Sequence, residues 1–464
     1  MILVERSTER SPRGWLRAGL ASPLTARLLV LWLLGTVAFL PVKILPLPFN
    51  FEMVDAWVLL GLPLALLHLL MGPRRPFSPA YLLPMWLVLL SSFLSSFSAP
   101  SAMNSLVVIL KESYLFLWFM VLAVLLPRLA PRQLRLVLSV WALVAALHGL
   151  LMVAQFISPE LWRLTNELGG VTARMEGYRA AGLFICGKAG CANKAAYFQI
   201  VAFVPLLLSG FSRRVKVLLG LAIFTGLLTS GSMAATAAFF IGMAVTVLAA
   251  AVASNQLGLL FRFSFQAMVA GVLLAGLFYG AARANPRYAE HIERILIGRF
   301  DRSSGGRLSL WSRGIDALVE HNAFLWGVGP ENFRVVDAAQ TDNQLHNDTL
   351  AFLVERGLIG VLGLGLFAFI PARRALFALR HAGRSPLARY ELAVFLGFLA
   401  ATVVESITHQ LFRTRELWLA LAVLEAVYLQ LRWAMLAERA RPGLRGFASA
   451  ARLPAAERKV EGHV

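Results

Sequence analysis

Residues 232–253 read SMAATAAFFIGMAVTVLAAAVA, a stretch without one charged side chain. A helix of that length rises about 33 Å, enough to cross the hydrocarbon core of a bilayer. Working outward, comparable runs recur near 24–42, 54–71, 80–98, 105–126, 134–157, 194–211, 215–230, 264–282, 349–371, 390–406 and 416–436. In lipid, a lone segment satisfies its backbone polar groups only as a helix. The sequence therefore reads as an all-α polytopic membrane protein of about 12 transmembrane helices. Its composition agrees. Charged residues make up 15% and the mean hydropathy is +0.69, whereas soluble proteins carry about a quarter charged residues.

The formal net charge is +19, and its placement excludes nucleic acid as the expected partner. Basic residues gather in alternate connections: Arg13 and Arg17, Arg74 and Arg75, Arg132 and Arg135, Arg213 and Arg214, Arg373 to Arg389, and the tail 437–464. The connection 41–53 holds Lys43 alone, and 97–104 holds no positive charge. By the positive-inside rule both termini face the cytoplasm, in keeping with an even helix count, and the excess charge favours anionic membrane lipids. The N-terminal apolar run has no A-x-A-like cleavage site and is read as an uncleaved first helix. The chain reads as one membrane domain over 1–464, with a smaller external loop at 158–193. A large external segment, 283–348, separates helices 9 and 10. No Walker or dinucleotide glycine motif is present, so no nucleotide or other cofactor is expected. No internal repeat of the kind that builds many transporters is visible.

Segment 283–348 concentrates the polar chemistry. Leu308, Trp311, Ile315, Leu318 and Val319 recur at helical spacing, which predicts an amphipathic helix over 307–320 lying on the membrane surface. Gly305-Gly306 precedes it, so free N–H groups at the helix start are expected beside Arg307. A guanidinium fits the oxygens of a diphosphate bidentately, although an interfacial arginine can equally snorkel to lipid headgroups. His346 starts the next apolar run, followed by Asn347. An imidazole there can take a proton from a hydroxyl, or can simply anchor a helix end. His148, His321, His381 and His463 are read as ordinary structural or surface histidines, and His409, near Arg413 and Arg415, as a reserve candidate. In the smaller loop Arg179, Lys188 and Asn193 offer further polar groups for an anion. Cys186 and Cys191 suit a short-loop disulfide in an oxidising compartment, or two free thiols. Without a nearby His pair they do not predict a metal site. Lys111–Glu112 and Glu355–Arg356 are adjacent opposite charges inside apolar runs; neighbours on a helix do not face each other, so each needs another partner.

Four segments in order carry a family resemblance: Arg179-x-x-Gly182-x-Phe184, Gly306-Arg307-x-x-x-Trp311, Gly327-x-Gly329-Pro330-x-Asn332-Phe333, and His346-Asn347-x-x-Leu350 running into Glu355-Arg356-Gly357-Leu358-Ile359-Gly360. The chain resembles the O-antigen ligase and polymerase superfamily of bacterial envelope glycan assembly. The resemblance implies transfer of a glycan from undecaprenyl diphosphate to an acceptor hydroxyl at the periplasmic face of the inner membrane, without nucleotide or metal. It implies that Arg179 and Arg307 hold the diphosphate and that His346 lies at the acceptor. Trp311, Asn347, Glu355 and Arg356, with Lys188 and Asn193, are then expected to help bind substrate. A lipid A-core sugar is the expected acceptor; joining lipid-linked repeat units is the alternative within the superfamily, and transport is a more distant one. Two positions depart from the pattern. Met233 stands where the family often has arginine, and Asn193 comes late, after an insertion holding Cys186, Lys188 and Cys191. Lys188 offers a replacement for the missing charge.

Overall fold

The structure is a computed structural model that describes residues 23–42, 52–71, 79–168, 180–184, 191–256, 298–337, 344–385, 387 and 389–439, with isolated positions 258, 276, 280 and 283. These residues are helical, with no strand among them. In chain order the helices are α1 Pro23–Phe39, α2 Met53–Met71, α3 Leu82–Ser96, α4 Ala102–Leu125, α5 Pro131–Ile157, α6 Pro159–Leu168, α7 Cys191–Val201, α8 Phe203–Leu208, α9 Arg213–Thr229, α10 Met233–Ser254, α11 Gly298–Glu320, α12 Phe333–Val336, α13 Asp348–Arg380, α14 Val394–Ser406 and α15 Arg415–Arg439.

Among the described residues, six helices are long and apolar enough to cross a membrane, and shorter apolar helices accompany them. The protein is thus a multi-pass helical membrane protein, while the figure of 12 crossings is not reproduced as such. The expected spans 194–211 and 390–406 fall on helices that are short or interrupted, α7 with α8 and the 13-residue α14. The expected span 264–282 lies outside the described residues, apart from two isolated positions.

The helices pack in pairs that bury small and aromatic side chains: α10 on α14, α5 on α9, and α3 on α13. Between α4, α13 and α15 sits an aromatic hub. Phe116, Phe119, Phe367, Phe412 and Trp418 meet mostly edge to face, with centroids 5.2–6.1 Å apart, an arrangement favoured by the ring quadrupole. Phe412 belongs to the connection between α14 and α15, and the Trp418 indole N–H donates to its carbonyl at 2.7 Å. The hub therefore fixes a short non-helical segment rather than merely filling space.

The glycine-rich turn has a structural task that its sequence conceals. α13 is broken at Gly357, whose φ is 65°. The break orphans carbonyls that an unbroken helix would use, and an unsatisfied buried carbonyl is costly. The turn supplies the missing donors: Val328 N–H to Val354 O at 2.9 Å and Gly329 N–H to Glu355 O at 3.0 Å. Past the break, Leu358 N–H reaches Phe324 O at 2.9 Å. Such close approach needs glycine at both contacts. A Cβ on Gly327, itself at φ 79°, would sit 2.3 Å from Arg356 N, and one on Gly357 would sit 2.2 Å from Leu325 O. Asn332 then ties the turn to α4, accepting from Ser101 N–H at 2.8 Å and donating to Ser105 Oγ at 2.9 Å. We expect Gly327→Ala to cost about 2–4 kcal/mol through backbone strain and overpacking, measured as a lower unfolding temperature in detergent. An unchanged temperature would mean that the docking is not needed.

One sequence expectation is corrected here. The external helix begins at Gly298, not at 307, so Gly305-Gly306 lie within α11 and expose no free helix N-terminus beside Arg307. A glycine inside a helix costs only about 1 kcal/mol relative to alanine, too little to stop a helix that starts upstream.

Candidate functional site

Three segments bring the candidate residues together. The first is α11, which carries Arg307 and Trp311. One stripe of this helix, with Leu310 and Leu318 buried and Trp311 half-buried, packs with Leu345, Val354 and Phe333 in a second, smaller core. The opposite stripe leaves Leu308, Ile315 and Val319 exposed, so the apolar positions read from the sequence as one face divide between protein and surroundings. Arg313 clamps the helix further, with Nη1 3.0 Å from both carboxylate oxygens of Asp337.

The second segment is 344–347, which presents His346 at φ 51°, a left-handed conformation uncommon outside glycine and found chiefly in Asn, Asp and His. Both sides are pinned. The Trp311 indole N–H donates to Leu345 O at 3.1 Å, and Asn347 Oδ1 accepts from Leu350 N–H at 3.0 Å to cap α13. Trp311 and Asn347 thus orient His346 through the backbone.

The third segment follows α14. Asp348 at the start of α13 accepts the Leu411 and Phe412 amides at 2.9 and 3.2 Å, drawing the 407–414 connection against His346. The His346 and His409 rings lie edge to face with centroids 6.4 Å apart. His409 Nδ1 is 2.6 Å from a carboxylate oxygen of Glu405, which is fully buried. Arg307, half-buried on α11, lies near enough to Glu405 and His346 for their charges to interact. Burial holds the His346 imidazole down at about 4, helped by His409, Arg307 and Arg334; desolvation and neighbouring positive charge both disfavour the cation. His346 is therefore neutral at pH 7. Because its folded value is below the unfolded one, this group's contribution to stability is complete above about pH 6.5 and is lost as pH falls towards 4. Thermal unfolding from pH 7 to 4 is expected to show this loss, reduced in His346→Gln; identical pH dependence in the variant would contradict it.

Beneath the histidines lies an ion network. Arg356, fully buried, pairs with Glu112 and donates to Ser92 Oγ at 2.8 Å. Arg413 Nε donates to the same Glu112 at 3.1 Å, and its guanidinium also pairs with Glu331 and lies 3.8 Å from Glu355. Burial would raise the Glu331 carboxyl, but Arg413 and Arg334 outweigh it and hold the group below its ordinary value. Glu112, Glu355 and Arg356 thus find partners on other elements, though Arg356 also stays 3.7 Å from Glu355. Glu405, Glu331 and the anchoring part played by Arg413 were not legible as a site. The one sequence signal was the spacing of Glu405 and His409, four residues apart at a helix end.

The smaller loop is only partly described. Arg179, Cys186 and Lys188 lie outside the described residues, and so does the Cys191 side chain. The end of the Arg179 segment is nevertheless firmly held. Gln155 Oε1 accepts Ala181 and Gly182 N–H at 3.1 and 2.8 Å, and His148 Nε2 accepts Leu183 N–H at 3.2 Å. His148 is the structural residue that the sequence suggested. Asn193 is half-buried in the first turn of α7. This helix reaches α14 through Tyr197, whose hydroxyl is 3.0 Å from Thr402 Oγ1, one turn before Glu405. Met233 opens α10 and is 44% exposed.

With this geometry in place, the comparison with known families is specific. A sequence model described as O-antigen ligase matches residues 195–365. Residues 195–365 are thus similar to the O-antigen ligase family. The matched stretch holds Arg307, Trp311, the Gly327–Phe333 turn, His346 and the broken start of α13. It ends before Glu405, His409 and Arg413, which belong to the same spatial cluster. A comparison with curated proteins finds no match. In space the matched stretch is joined by the 405–413 region that follows it.

Proposed function

We propose that this protein is a membrane glycosyltransferase that moves a glycan from undecaprenyl diphosphate to a hydroxyl of lipid A-core at the periplasmic face of the inner membrane. The observation that carries the reading is the meeting of Arg307 with neutral His346 inside a stretch similar to the ligase family. A diphosphate is already a good leaving group. The protein need only neutralise the charge that grows on it and orient or deprotonate the attacking hydroxyl. Arg307 supplies a permanent cation, and Arg179 a second from the smaller loop, with Lys188 and Asn193 as further contacts. A single displacement at the anomeric carbon inverts its configuration. Trp311 and Asn347 hold His346, while Glu355 and Arg356 support it from the network below. The donor lipid enters from the membrane, the termini lie in the cytoplasm, and no cofactor takes part. The 158–193 and 283–348 segments of one membrane domain together form the external face.

Deletion of the gene in its host tests this reading. Core lipid A lacking glycan, with full-length glycan accumulating on the lipid carrier, is the expected result. Accumulation of single repeat units would instead make the protein a polymerase, and an unchanged envelope would remove both readings.

A further inference from the structure

The histidine that the matched stretch does not include has the stronger geometry of a base. His409 is 7% exposed, its Nδ1 meets the Glu405 carboxylate at 2.6 Å, and its Nε2 is buried with no hydrogen-bond partner among the described residues. Glu405 itself is fully buried, and neither of its oxygens has a hydrogen-bond partner of good geometry among the described residues. A buried nitrogen left without a partner is costly, so its retention next to His346 points to a group that arrives with the substrate. The Glu405 carboxylate lies at ion-pair distance from Nδ1 without a well-aligned hydrogen bond, and as a negative charge beside the ring it stabilises the imidazolium that forms once Nε2 takes a proton.

We propose that Glu405 and His409 form the proton-accepting pair of the transfer site, with His409 Nε2 taking the acceptor hydroxyl's proton while His346 holds that hydroxyl in place. The assignment rests on the glycosyltransferase reading above. The step balances without another reactant. The O–H bond gives its proton to Nε2, and the oxygen's pair forms the new bond to the anomeric carbon. The carbon–oxygen bond to the diphosphate breaks with its pair passing to the phosphate oxygen beside Arg307, and the imidazolium then returns its proton to the diphosphate or to water. The groups surrounding the two rings divide the labour. Arg307 on α11 and Arg334 on α12 act on His346 and disfavour its protonation, whereas His409 has a carboxylate of its own. Thr408 Oγ1, 3.1 Å from His409 Nδ1, is the remaining polar neighbour on that element.

The test is the pH dependence of transfer by the purified full-length protein, with undecaprenyl-diphosphate glycan extracted from the host as donor and core lipid A as acceptor. His409→Gln is expected to lower kcat by about 10²-fold or more with little change in donor KM. Glu405→Gln, which keeps the shape of the side chain but removes the charge beside the ring, is expected to move the acidic limb of the rate profile. His346→Gln is expected to raise the acceptor KM while keeping the limb where it was. A limb that stays fixed in Glu405→Gln, or one that vanishes in His346→Gln instead, would overturn the pair. The conservative Glu405→Gln change keeps the test valid if His409→Gln fails to fold. Absence of any product from wild-type protein would instead sink the glycosyltransferase reading and the pair with it.

Discussion

Arg307→Ala is expected to reduce glycan transfer by about 10²–10³-fold, the scale on which removal of one preorganised charge-stabilising donor acts. The loss should fall on kcat as well as on donor binding, because negative charge grows on the diphosphate as the bond breaks. Among the described residues Arg307 makes no ion pair, and Glu405 is the acidic group whose charge acts on it. Its helix is secured instead by Trp311, by the Arg313–Asp337 pair and by the smaller hydrophobic core. The unfolding temperature should consequently change little. Arg307→Lys keeps the charge but loses the planar fork, and should recover only part of the rate. Full activity of Arg307→Ala in steady-state transfer would remove this residue from the site.

The second large effect concerns stability. Glu112→Gln removes the carboxylate shared by Arg356 and Arg413 and leaves the fully buried Arg356 guanidinium with only the more distant Glu355, 3.7 Å away. Breaking a buried ion pair from one side costs about 3–5 kcal/mol, so a marked fall in unfolding temperature is expected. Removing Arg356 as well, in Glu112→Gln with Arg356→Met, should cost much less than the sum of the two single changes, since no buried charge is then left unpaired. Additive losses would show that the two residues do not act as a pair.

Much of the fold was open to sequence reading, because a lipid solvent forces apolar length and helix to coincide. The expected spans from 54–71 through 134–157 fall on α2 to α5, and 349–371 and 416–436 on α13 and α15. What hydropathy could not show was the break at Gly357, since a broken helix and a continuous one share the same composition. The Gly327-x-Gly329-Pro330 turn was visible as a motif, but its use as the missing donor set for α13 depends on tertiary contact. The same limit applies to the site. Arg307 drew attention because it follows Gly305-Gly306 and stands four residues before Trp311, and His346 because it starts an apolar run. Glu405 did not, because an acidic residue at a helix end reads as ordinary until His409 is seen folded back upon it. The start of α11 was misplaced for a local reason, as two glycines read as a boundary while the residues upstream continued the helix.

We propose that Arg307 and His346 belong to one site for transfer from a lipid diphosphate. That claim is tested most directly by transfer with purified protein in detergent, where no ion gradient exists. Wild-type protein given undecaprenyl-diphosphate glycan and core lipid A should form glycosylated core lipid A, and both His346→Ala and Arg307→Ala should form it far more slowly, Arg307→Ala by about 10²–10³-fold. No product from well-folded wild-type protein, or equal product from both variants, would contradict the claim.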